Sequence, residues 1–269
     1  MSRQLLSRRD KDARSREYFQ LRFDEMPPLI VLLPPSEGKA PGGRERRTPD
    51  RFARQLRTSR DEVRAAIAYL LESGSSDLWS KRFKVKGALL ARAVESMRAV
   101  SVDTAVTLPA WQRYTGVVWE FLDPSTLDGP QRRSILVPSA LSGITTAEDA
   151  IADFRLTMNV SLPGIGGLAR FWQQEVTEVV RRAARGAQLV DLLPNEHAAA
   201  IDFSRLGDVR HVEFLGASSA GAAGHVAKSV KGRFARHLID HGLEHATAFR
   251  FSGWSVKAKG SGFSLVQRH

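Results

Sequence analysis

The sequence contains no cysteine, and this absence excludes several kinds of chemistry. Disulfide bonds, metal sites built on thiolates and peroxide reduction by a cysteine thiol all require a sulfur that the chain lacks. Long apolar runs are also missing, since none approaches the roughly 18 residues that cross a bilayer. Residues 1–25 mix charges throughout and hold no apolar segment of the kind found in secretory signals. We therefore expect a cytoplasmic protein with no membrane partner.

Acidic residues are scarcer than basic ones. The chain has 29 Asp and Glu against 40 Lys and Arg, which gives a formal net charge of +11. Such an excess favours polyanionic partners and speeds association with them, but it does not indicate a fold. A genome rich in G and C also raises the arginine content, so a basic protein without a specific nucleic-acid partner is the alternative. The positions of the charges must decide between the two.

Strands and helices are intermingled in the hydrophobic pattern. Apolar residues make up 42% of the 269 residues, enough for a sizeable core. Apolar runs predict buried strands at 29–33 and 134–138, and spacings of three and four residues predict helices at 168–186 and 222–241. Neither strict strand–helix alternation nor an internal repeat is present. We expect an α/β (mixed α+β) fold, a compact single domain over residues 27–269 with a mixed sheet, surrounding helices and a basic cleft.

Three other segments have less regular patterns. Residues 1–26 are interpreted as an N-terminal extension outside the core, or as untranslated sequence if synthesis begins at Met26; a tail that grips nucleic acid is the alternative. Residues 40–60 are rich in Pro, Gly and Arg and are expected to form a surface loop, with Ser59 capping the helix that follows. Residues 154–160 alternate in polarity, which predicts a strand.

The segment Pro34–Lys39 follows a predicted buried strand, where ligand-binding loops often lie. It is not a phosphate-binding P-loop, because Leu33 stands at the place of the first glycine and Ala40 replaces the metal-binding hydroxyl. The spacing of Ser36 and Lys39 matches one of three motifs of penicilloyl serine transferases, and the other two motifs are missing. A plain polar turn is therefore the alternative interpretation.

Two further patterns carry little chemical meaning. The segment Gly216–Gly221 misses the G-x-S-x-G nucleophile elbow by one residue and is interpreted as a turn. His237, His241 and His245 are spaced as metal ligands on a helix would be, but Gly242 should end the helix before the third. Histidines in a last helical turn also suit the negative end of the helix dipole. We expect no metal and no cofactor.

The segment 161–169 resembles the Leu-Pro-Gly-Ile-Gly turn of helix-hairpin-helix modules. In those modules, backbone N–H groups of the turn and of the next helix hold a phosphate, and the glycines let the backbone approach it. Gly164 and Gly166 are therefore candidate phosphate-binding residues. The residues before the turn have an extended pattern, so a glycine-containing connector from a strand to a helix is an equal alternative.

The predicted helix 222–241 has an apolar face and a basic face. Its apolar residues share one arc: Val226, Val230, Phe234 and Leu238. Its cations lie opposite: Lys228, Lys231, Arg233 and Arg236. No acidic residue occurs among residues 221–239, so this basic face is suited to follow phosphates. An ordinary solvated face is the alternative.

Seven motifs in one order resemble those of the peroxide stress protein YaaA family, also called UPF0246. The segments that carry the resemblance are Pro34–Lys39, Tyr114-Thr115-Gly116, Leu141-Ser142-Gly143, Phe154–Met158, the helix with Trp172, Asn195-Glu196-His197 and Lys228–Arg236. Phe154, His197 and Lys231 depart from the family pattern, which has Tyr, Tyr and Arg at these places. The resemblance implies a mixed α/β fold with a positively charged cleft, DNA binding, and a part in limiting peroxide damage and unincorporated iron.

Three functions remain open on the residues alone. The first is a nucleic-acid-binding stress protein, with duplex DNA as the expected partner, and the second is an enzyme that acts on a nucleotide or nucleobase. The third is a basic scaffold with neither activity. Glu37 and Glu196 favour the second, because carboxylates repel phosphate and suit proton transfer.

Two sets of site residues follow from these motifs. The candidate catalytic residues are Ser36, Glu37, Lys39, Tyr114 and Glu196. The candidate ligand-binding residues are Lys39, Arg155, Asn195, Lys228, Lys231, Arg236, Gly164 and Gly166. Most of these side chains flank predicted strands and helix starts, where ligands bind in α/β sheets. We expect one cleft to be lined by the Pro34–Lys39 loop, Tyr114, Arg155, Asn195, Glu196, Lys228 and Arg236.

Overall fold

A computed structural model describes residues 29–45, 50–215 and 221–267. The expectations for residues 1–26 and for most of the Gly216–Gly221 motif therefore lie outside the described residues. The helices are α1 (Ala53–Ser73), α2 (Ser76–Phe83), α3 (Ala88–Ser101), α4 (Ala110–Arg113), α5 (Val117–Leu122), α6 (Gly129–Arg133), α7 (Leu168–Ala183), α8 (Asn195–Ala198) and α9 (Gly221–His241). None of these helices combines the length and the apolar character needed to cross a bilayer.

The strands are β1 (Leu29–Leu32), β2 (Thr107–Pro109), β3 (Ile135–Ser139), β4 (Gly143–Thr146), β5 (Ala150–Ala152), β6 (Ser161–Leu162), β7 (Gly166–Gly167), β8 (Gln188–Asp191), β9 (Val209–Leu215), β10 (Arg250–Phe251), β11 (Trp254–Lys259) and β12 (Gly262–Gln267). Eight of them form one sheet in the order β10-β11-β12-β9-β8-β1-β3-β4. The run from β12 to β3 is parallel, and antiparallel strands complete both edges. The expected mixed α/β fold is confirmed.

Strand β1 shows how the sheet separates two hydrophobic cores. Because side chains alternate across a strand, Ile30 and Leu32 pack into the core that contains α1, α3 and α7. Val31 and Leu33 point the other way, into the core that contains α5 and α9. A strand covered on both faces is apolar throughout, which is why the unbroken apolar run predicted it correctly.

The segment before Arg60 differs from the sequence-based expectation. Helix α1 begins at Ala53, so the loop expected over 40–60 ends early, and Ser59 is buried inside the helix rather than capping it. Arg60 is drawn into the interior because its Nη1 meets Oδ2 of Asp50 at 2.6 Å. Its other N–H groups donate to main-chain carbonyls of the Leu-Ser-Gly turn and β4. The Pro, Gly and Arg content of residues 40–60 indicated a solvated loop. The ion pair between Arg60 and Asp50 matches no local sequence motif, so the sequence did not predict it.

The segment 154–160 was expected to be a strand, and this expectation is wrong. It has no partner strand and crosses the core as irregular backbone. Phe154, Leu156 and Met158 are buried while the residues between them are not, so the alternation is real. It arises because one side of the segment packs on the core, which requires no ladder of hydrogen bonds.

Candidate functional site

A pocket of about 470 Å³ lies at the carboxyl ends of three neighbouring parallel strands, β3, β1 and β8. It is lined by the Pro34–Lys39 loop after β1, by Ala140 after β3, and by Pro194, Glu196 and His197 after β8. The chain leaves β1 to one side for β3 and later returns to the other side as β8, and ligands bind where connections diverge in this way. The volume is within the roughly 300–1,000 Å³ of small-ligand sites.

Positive charge dominates the lining of this pocket. The other walls come from residues 83–85, 116–119 and 154–158 and from α9. The basic lining residues are Lys39, Lys84, Arg155, Lys228 and Lys231, and the acidic ones are Glu37 and Glu196. Apolar side chains complete the walls: Phe83, Val85, Val117, Val118, Trp119, Phe154, Leu156 and Met158. The arrangement suits a ligand that has both an anionic part and a flat or apolar part.

The Tyr-Thr-Gly motif holds the Pro34–Lys39 loop by close backbone contact. The backbone N–H of Thr115 donates to the carbonyl of Gly38 at 3.1 Å. A Cβ on Gly116 would lie 2.3 Å from Oγ and 3.2 Å from Cβ of Ser36, so the glycine lets the loop pack closely here. The motif therefore shapes the pocket wall, and Ser36 is buried against it.

Arg113 fixes the chain that follows this loop. Its side chain is fully buried and donates to the main-chain carbonyls of Ala40, Gly42, Val106 and Ile151. A single guanidinium thus satisfies carbonyls from three separate segments. Sequence reasoning missed this residue, because an arginine in a short helix is usually solvated.

Lys39 is half-buried in the pocket wall, and no carboxylate of the described residues is bonded to it. Its Nζ donates to the carbonyl of Ser36 at 3.0 Å and lies 4.4 Å from the centre of the Phe154 ring. Among the described residues, no carboxylate forms an ion pair with it. Burial, and then the charge of the neighbouring Arg155 guanidinium, lower the pKa of Lys39 to about 8.

Lys231 of α9 is buried in a similar way. Its Nζ donates to the carbonyl of Leu192 and lies 5.0 Å from the centre of the Phe214 ring. Burial lowers its pKa to about 8, although the Asp191 carboxylate acts in the opposite direction. The pocket therefore contains two amines that are partly neutral near physiological pH.

His197 completes the group of titratable side chains. Burial, and then the charge of Lys231, lower its pKa to about 4, so the imidazole is neutral at pH 7. Its Nδ1 has no hydrogen-bond partner within the described parts of the chain, although Oε1 of Glu196 lies 3.4 Å away. A buried polar atom without a partner is one that a ligand can satisfy.

Glu196 is tied to the opposite wall by residues that sequence reasoning missed. Nδ2 of Asn159 donates to Oε2 of Glu196 at 3.3 Å, and Nζ of Lys84 donates to Oδ1 of Asn159 at 2.7 Å. Lys84 has a positive φ of 54°, which is uncommon outside glycine. The available signal was the segment 81–86, where basic and apolar residues alternate.

The structure brings together most of the predicted polar residues. Those that line the pocket are Ser36, Glu37, Lys39, Arg155, Glu196, Lys228 and Lys231. Tyr114 lies behind the wall, with its ring centre 4.8 Å from that of Trp119 and the two planes tilted by 41°, and its buried hydroxyl has no hydrogen-bond partner among the described residues. Burial raises the pKa of Tyr114 well above its usual range. Asn195 begins α8 and is not part of the lining.

The four cations predicted to share one face of α9 separate into two pairs. Lys228 and Lys231 line the pocket, whereas Arg233 lies over the rings of Phe121 and Phe251 at 5.6 and 5.8 Å. Arg236 is outside the pocket, because its Nε donates to Asp240 at 2.7 Å and its Nη1 donates to the carbonyl of Asp123 at 3.1 Å. The helix period placed these charges correctly around the axis but could not indicate their partners.

Gly164 and Gly166 belong to the hairpin β6–β7, which leads directly into α7. Both have positive φ, 78° and 75°, as the turn requires. The described residues before the hairpin form no helix that would complete a helix-hairpin-helix unit. The segment thus connects a short strand to a helix, and neither glycine lines the pocket. Phosphate binding by the two glycines stays a prediction.

The three histidines near the end of α9 form local contacts. Nε2 of His237 hydrogen-bonds to the carbonyl of His245 at 2.9 Å. Within the described ranges, no group of three or more His, Asp or Glu side chains is arranged to hold a metal ion.

Comparison with known proteins gives one consistent result. A family model described as peroxide stress protein YaaA matches residues 29–259. The UPF0246 protein of Streptomyces coelicolor is 33% identical over 247 residues, which cover 86% of this chain and 93% of the relative. A UPF0246 protein of Corynebacterium glutamicum strain R is 30% identical over 232 residues, 82% of this chain and 89% of the relative. That of Corynebacterium efficiens is 28% identical over 233 residues, with the same coverage of 82% and 89%.

Proposed function

Because the chain belongs to the peroxide stress protein YaaA family (UPF0246), we propose that it is a cytoplasmic DNA-binding protein of the response to hydrogen peroxide. Its pocket receives the phosphates of a DNA strand, and binding limits oxidative damage to the DNA. The observation that carries the proposal is the excess of cations in the lining, Lys39, Lys84, Arg155, Lys228 and Lys231 against two carboxylates.

The cations of the pocket differ in exposure. Lys84 and Lys228 are exposed, whereas Arg155 and Lys39 are half-buried. Exposed amines meet a flexible phosphate backbone at little desolvation cost. The buried lysines have no competing carboxylate partner among the described residues, so an incoming phosphate supplies the charge that each lacks. The binding is expected to depend little on DNA sequence, because phosphate contacts position a strand without reading its bases.

The salt dependence of DNA affinity tests this proposal. If about four pocket cations meet phosphates, the slope of log K against log salt is roughly −3 to −4. The double variant Lys228→Ala/Lys231→Ala should flatten the slope by about two, because each lost phosphate contact removes nearly one released counterion. Fluorescence anisotropy of a labelled duplex measures both slopes.

The matched control removes the same charge elsewhere. Arg54→Ala/Arg57→Ala takes two exposed cations from α1, outside the pocket, and should leave the slope nearly unchanged. Equal flattening in both double variants would assign binding to the overall charge of the protein. In cells, the Lys228→Ala/Lys231→Ala protein should restore peroxide resistance less well than the control pair does.

A second candidate is an enzyme that acts on a nucleotide or nucleobase in the same pocket. The specific observation is the group formed by Lys39, Glu196 and the neutral His197, which are proton donors and acceptors that phosphate binding does not require. A panel of free nucleosides and nucleotides, measured by thermal shift, distinguishes the candidates. Stabilisation by a free nucleoside as strong as by the nucleotide would favour the enzyme, and stabilisation that needs the phosphate favours DNA binding.

A further inference from the structure

We propose that Nζ of Lys39 forms an imine with the aldehyde of a phosphate-bearing sugar held in the pocket. The sugar is either a free sugar phosphate or the base-free sugar of an abasic site in a DNA strand. The inference rests on the proposed function, because it requires a pocket that accepts phosphate. It adds a covalent step at a residue that the binding proposal uses only as a cation.

The position of the Lys39 amine is the first argument. Phe154, whose ring centre is 4.4 Å from Nζ, itself lines the pocket, so the amine lies at the pocket wall. The hydrogen bond to the carbonyl of Ser36, at 3.0 Å, holds one N–H of the amine. Within the described residues, no carboxylate pairs with it and fixes it as an ammonium. An amine held in this way can present its lone pair to a carbonyl carbon once it loses a proton.

The electrostatic surroundings of Lys39 favour that loss. Burial, the guanidinium of Arg155 and that of Arg113 lower its pKa, whereas the carboxylates of Asp153 and Glu37 raise it. The balance is a pKa of about 8 instead of 10.5. Arg155 is kept near by a hydrogen bond from its Nη1 to the carbonyl of Glu37 at 2.8 Å. Desolvation beside a second cation is the arrangement that activates imine-forming lysines.

The chemical step is balanced without an oxidant or a reductant. The lone pair of the neutral amine attacks the aldehyde carbon, a C–N bond forms, and the carbonyl π pair moves to the oxygen. One N–H proton passes to that oxygen and gives a carbinolamine. The hydroxyl then leaves with the second N–H proton, so that the products are the imine and one water molecule.

The cations of the pocket have two different roles in this inference, phosphate binding and reaction with the aldehyde. Lys84 and Lys228 are exposed lining residues that can hold a phosphate, while Lys39, which lines the same pocket, is half-buried. A ligand with a phosphate at one end and an aldehyde at the other would contact both groups. Exposed lysines also react with aldehydes, but their adducts would be spread over many positions of the chain.

Borohydride trapping tests the inference. The full-length protein is incubated with ribose 5-phosphate, or with a single-stranded oligonucleotide that contains one abasic site, and sodium borohydride reduces any imine to a stable amine. Intact mass and peptide mapping should show one main adduct, at Lys39. Lys39→Arg keeps the cation but cannot form the imine, so its adduct should be lost. Lys257→Arg, an exposed lysine outside the pocket, should keep the adduct.

The outcomes separate this inference from the proposed function. DNA binding by anisotropy is measured for the wild type in the same samples, and it should persist in Lys257→Arg, which lies outside the pocket. If the wild type binds DNA but gives no adduct above the Lys39→Arg level, or if the adduct maps to another lysine, the inference is wrong and the DNA-binding proposal stands. If DNA binding fails, an adduct with ribose 5-phosphate at Lys39 still supports the imine, and its absence overturns it. The two sugar sources are distinguished by which arm gives the faster trapping.

The pH dependence of trapping shows whether the Lys39 amine itself reacts or whether its substitution only disturbs the structure of the pocket. The initial rate should rise with a midpoint near pH 8 and then level off, because the neutral amine of Lys39 is the reacting form. A rate that continues to rise through pH 10 would indicate attack by ordinary exposed lysines and would contradict the inference. Lys39→Met, checked for folding by circular dichroism, should show no plateau at all.

Discussion

Two regions of the molecule bury positive charge, and they treat it in opposite ways. Beside β4, the guanidinium of Arg60 meets the carboxylate of Asp50 at 2.6 Å, with side chains only 9% and 4% exposed. In the pocket, Lys39 and Lys231 each have a carbonyl and an aromatic ring as neighbours, and neither forms an ion pair within the described residues. Arg60 is therefore neutralised by a direct ion pair, whereas the two lysines of the pocket have only more distant carboxylates near them.

The difference separates a structural role from a binding role. The Arg60–Asp50 pair is closed to ligands, and its remaining N–H groups hold the turn that leads into β4. Unpaired buried amines disfavour folding, because their charged form has lost water without gaining a partner. Such groups persist in a cleft where an anion can approach, which is why perturbed pKa values concentrate at functional sites. Four variants test this contrast, beginning with the largest expected effect.

Removing one partner of the closed pair should cost most. Asp50→Ala leaves the Arg60 guanidinium buried and uncompensated, so the free energy of unfolding should fall by about 3–5 kcal/mol. Urea unfolding at pH 7 measures the loss. Asp61→Ala, which breaks the solvent-exposed pair with Arg64, should cost at most about 1 kcal/mol. Equal losses in the two variants would show that the buried pair has no special structural role.

Removing an unpaired pocket amine should have a smaller effect, and of opposite sign. Lys39→Met deletes an ammonium that burial disfavours, so stability at pH 7 should be unchanged or higher. Between pH 8 and 10.5 the unfolded chain keeps a proton that native Lys39 has lost, and the wild type therefore gains stability as the pH rises. Above pH 10 Tyr114 acts oppositely, because its raised pKa keeps it protonated only in the native state.

Urea unfolding at several values between pH 8 and pH 10 tests this window. Lys39→Met should reduce the rise in stability, and Lys39→Met/Lys231→Met should remove most of it, since the pKa of Lys231 is also lowered to about 8. A rise of the same size in the double variant would mean that other groups cause it. Loss of several kcal/mol in Lys39→Met at pH 7 would contradict the assignment of an uncompensated cation.

His197 should give the smallest effect, on the acidic side. Its pKa is lowered from 6.5 to about 4, so between these values the unfolded chain binds more protons than the native protein. Stability should consequently fall as the pH decreases through this window. His197→Gln should show a shallower fall in thermal unfolding experiments. His225→Gln, at an exposed position on α9 outside the pocket, is the control and should follow the wild type.

The sequence predicted those strands and helices whose hydrophobic residues follow a regular spacing or form an unbroken run. The apolar run at β1, the helix at α7 and the helix at α9 follow from patterns that a core imposes on the chain. Lys39 was found because polar residues directly after a buried strand lie at the edge of a sheet where ligands bind. Arg155 and Glu196 were found because their segments resemble motifs of the family.

The rest depended on contacts between distant segments. Asn159 donates to Glu196, and Lys84 donates to Asn159, although the three residues are far apart in the sequence. Arg236 was expected in the cleft, yet it is held by Asp240 one turn along the same helix. The buried Arg60 was placed in a loop, because its partner Asp50 lies outside any helical spacing. A single sequence does not show which charged side chains will pair in the folded protein.

The most direct test of the central claim is the titration of the Lys39 amine itself. NMR of protein carrying ¹³C-labelled lysine side chains follows the Cε signal, which Lys39→Arg assigns by its disappearance. We expect a pKa of about 8 in the free protein and a clear rise when an oligonucleotide binds, because a phosphate favours the ammonium form. A pKa near 10.5 that does not move with the oligonucleotide would contradict the claim that this pocket keeps an uncompensated cation for a phosphate-bearing ligand.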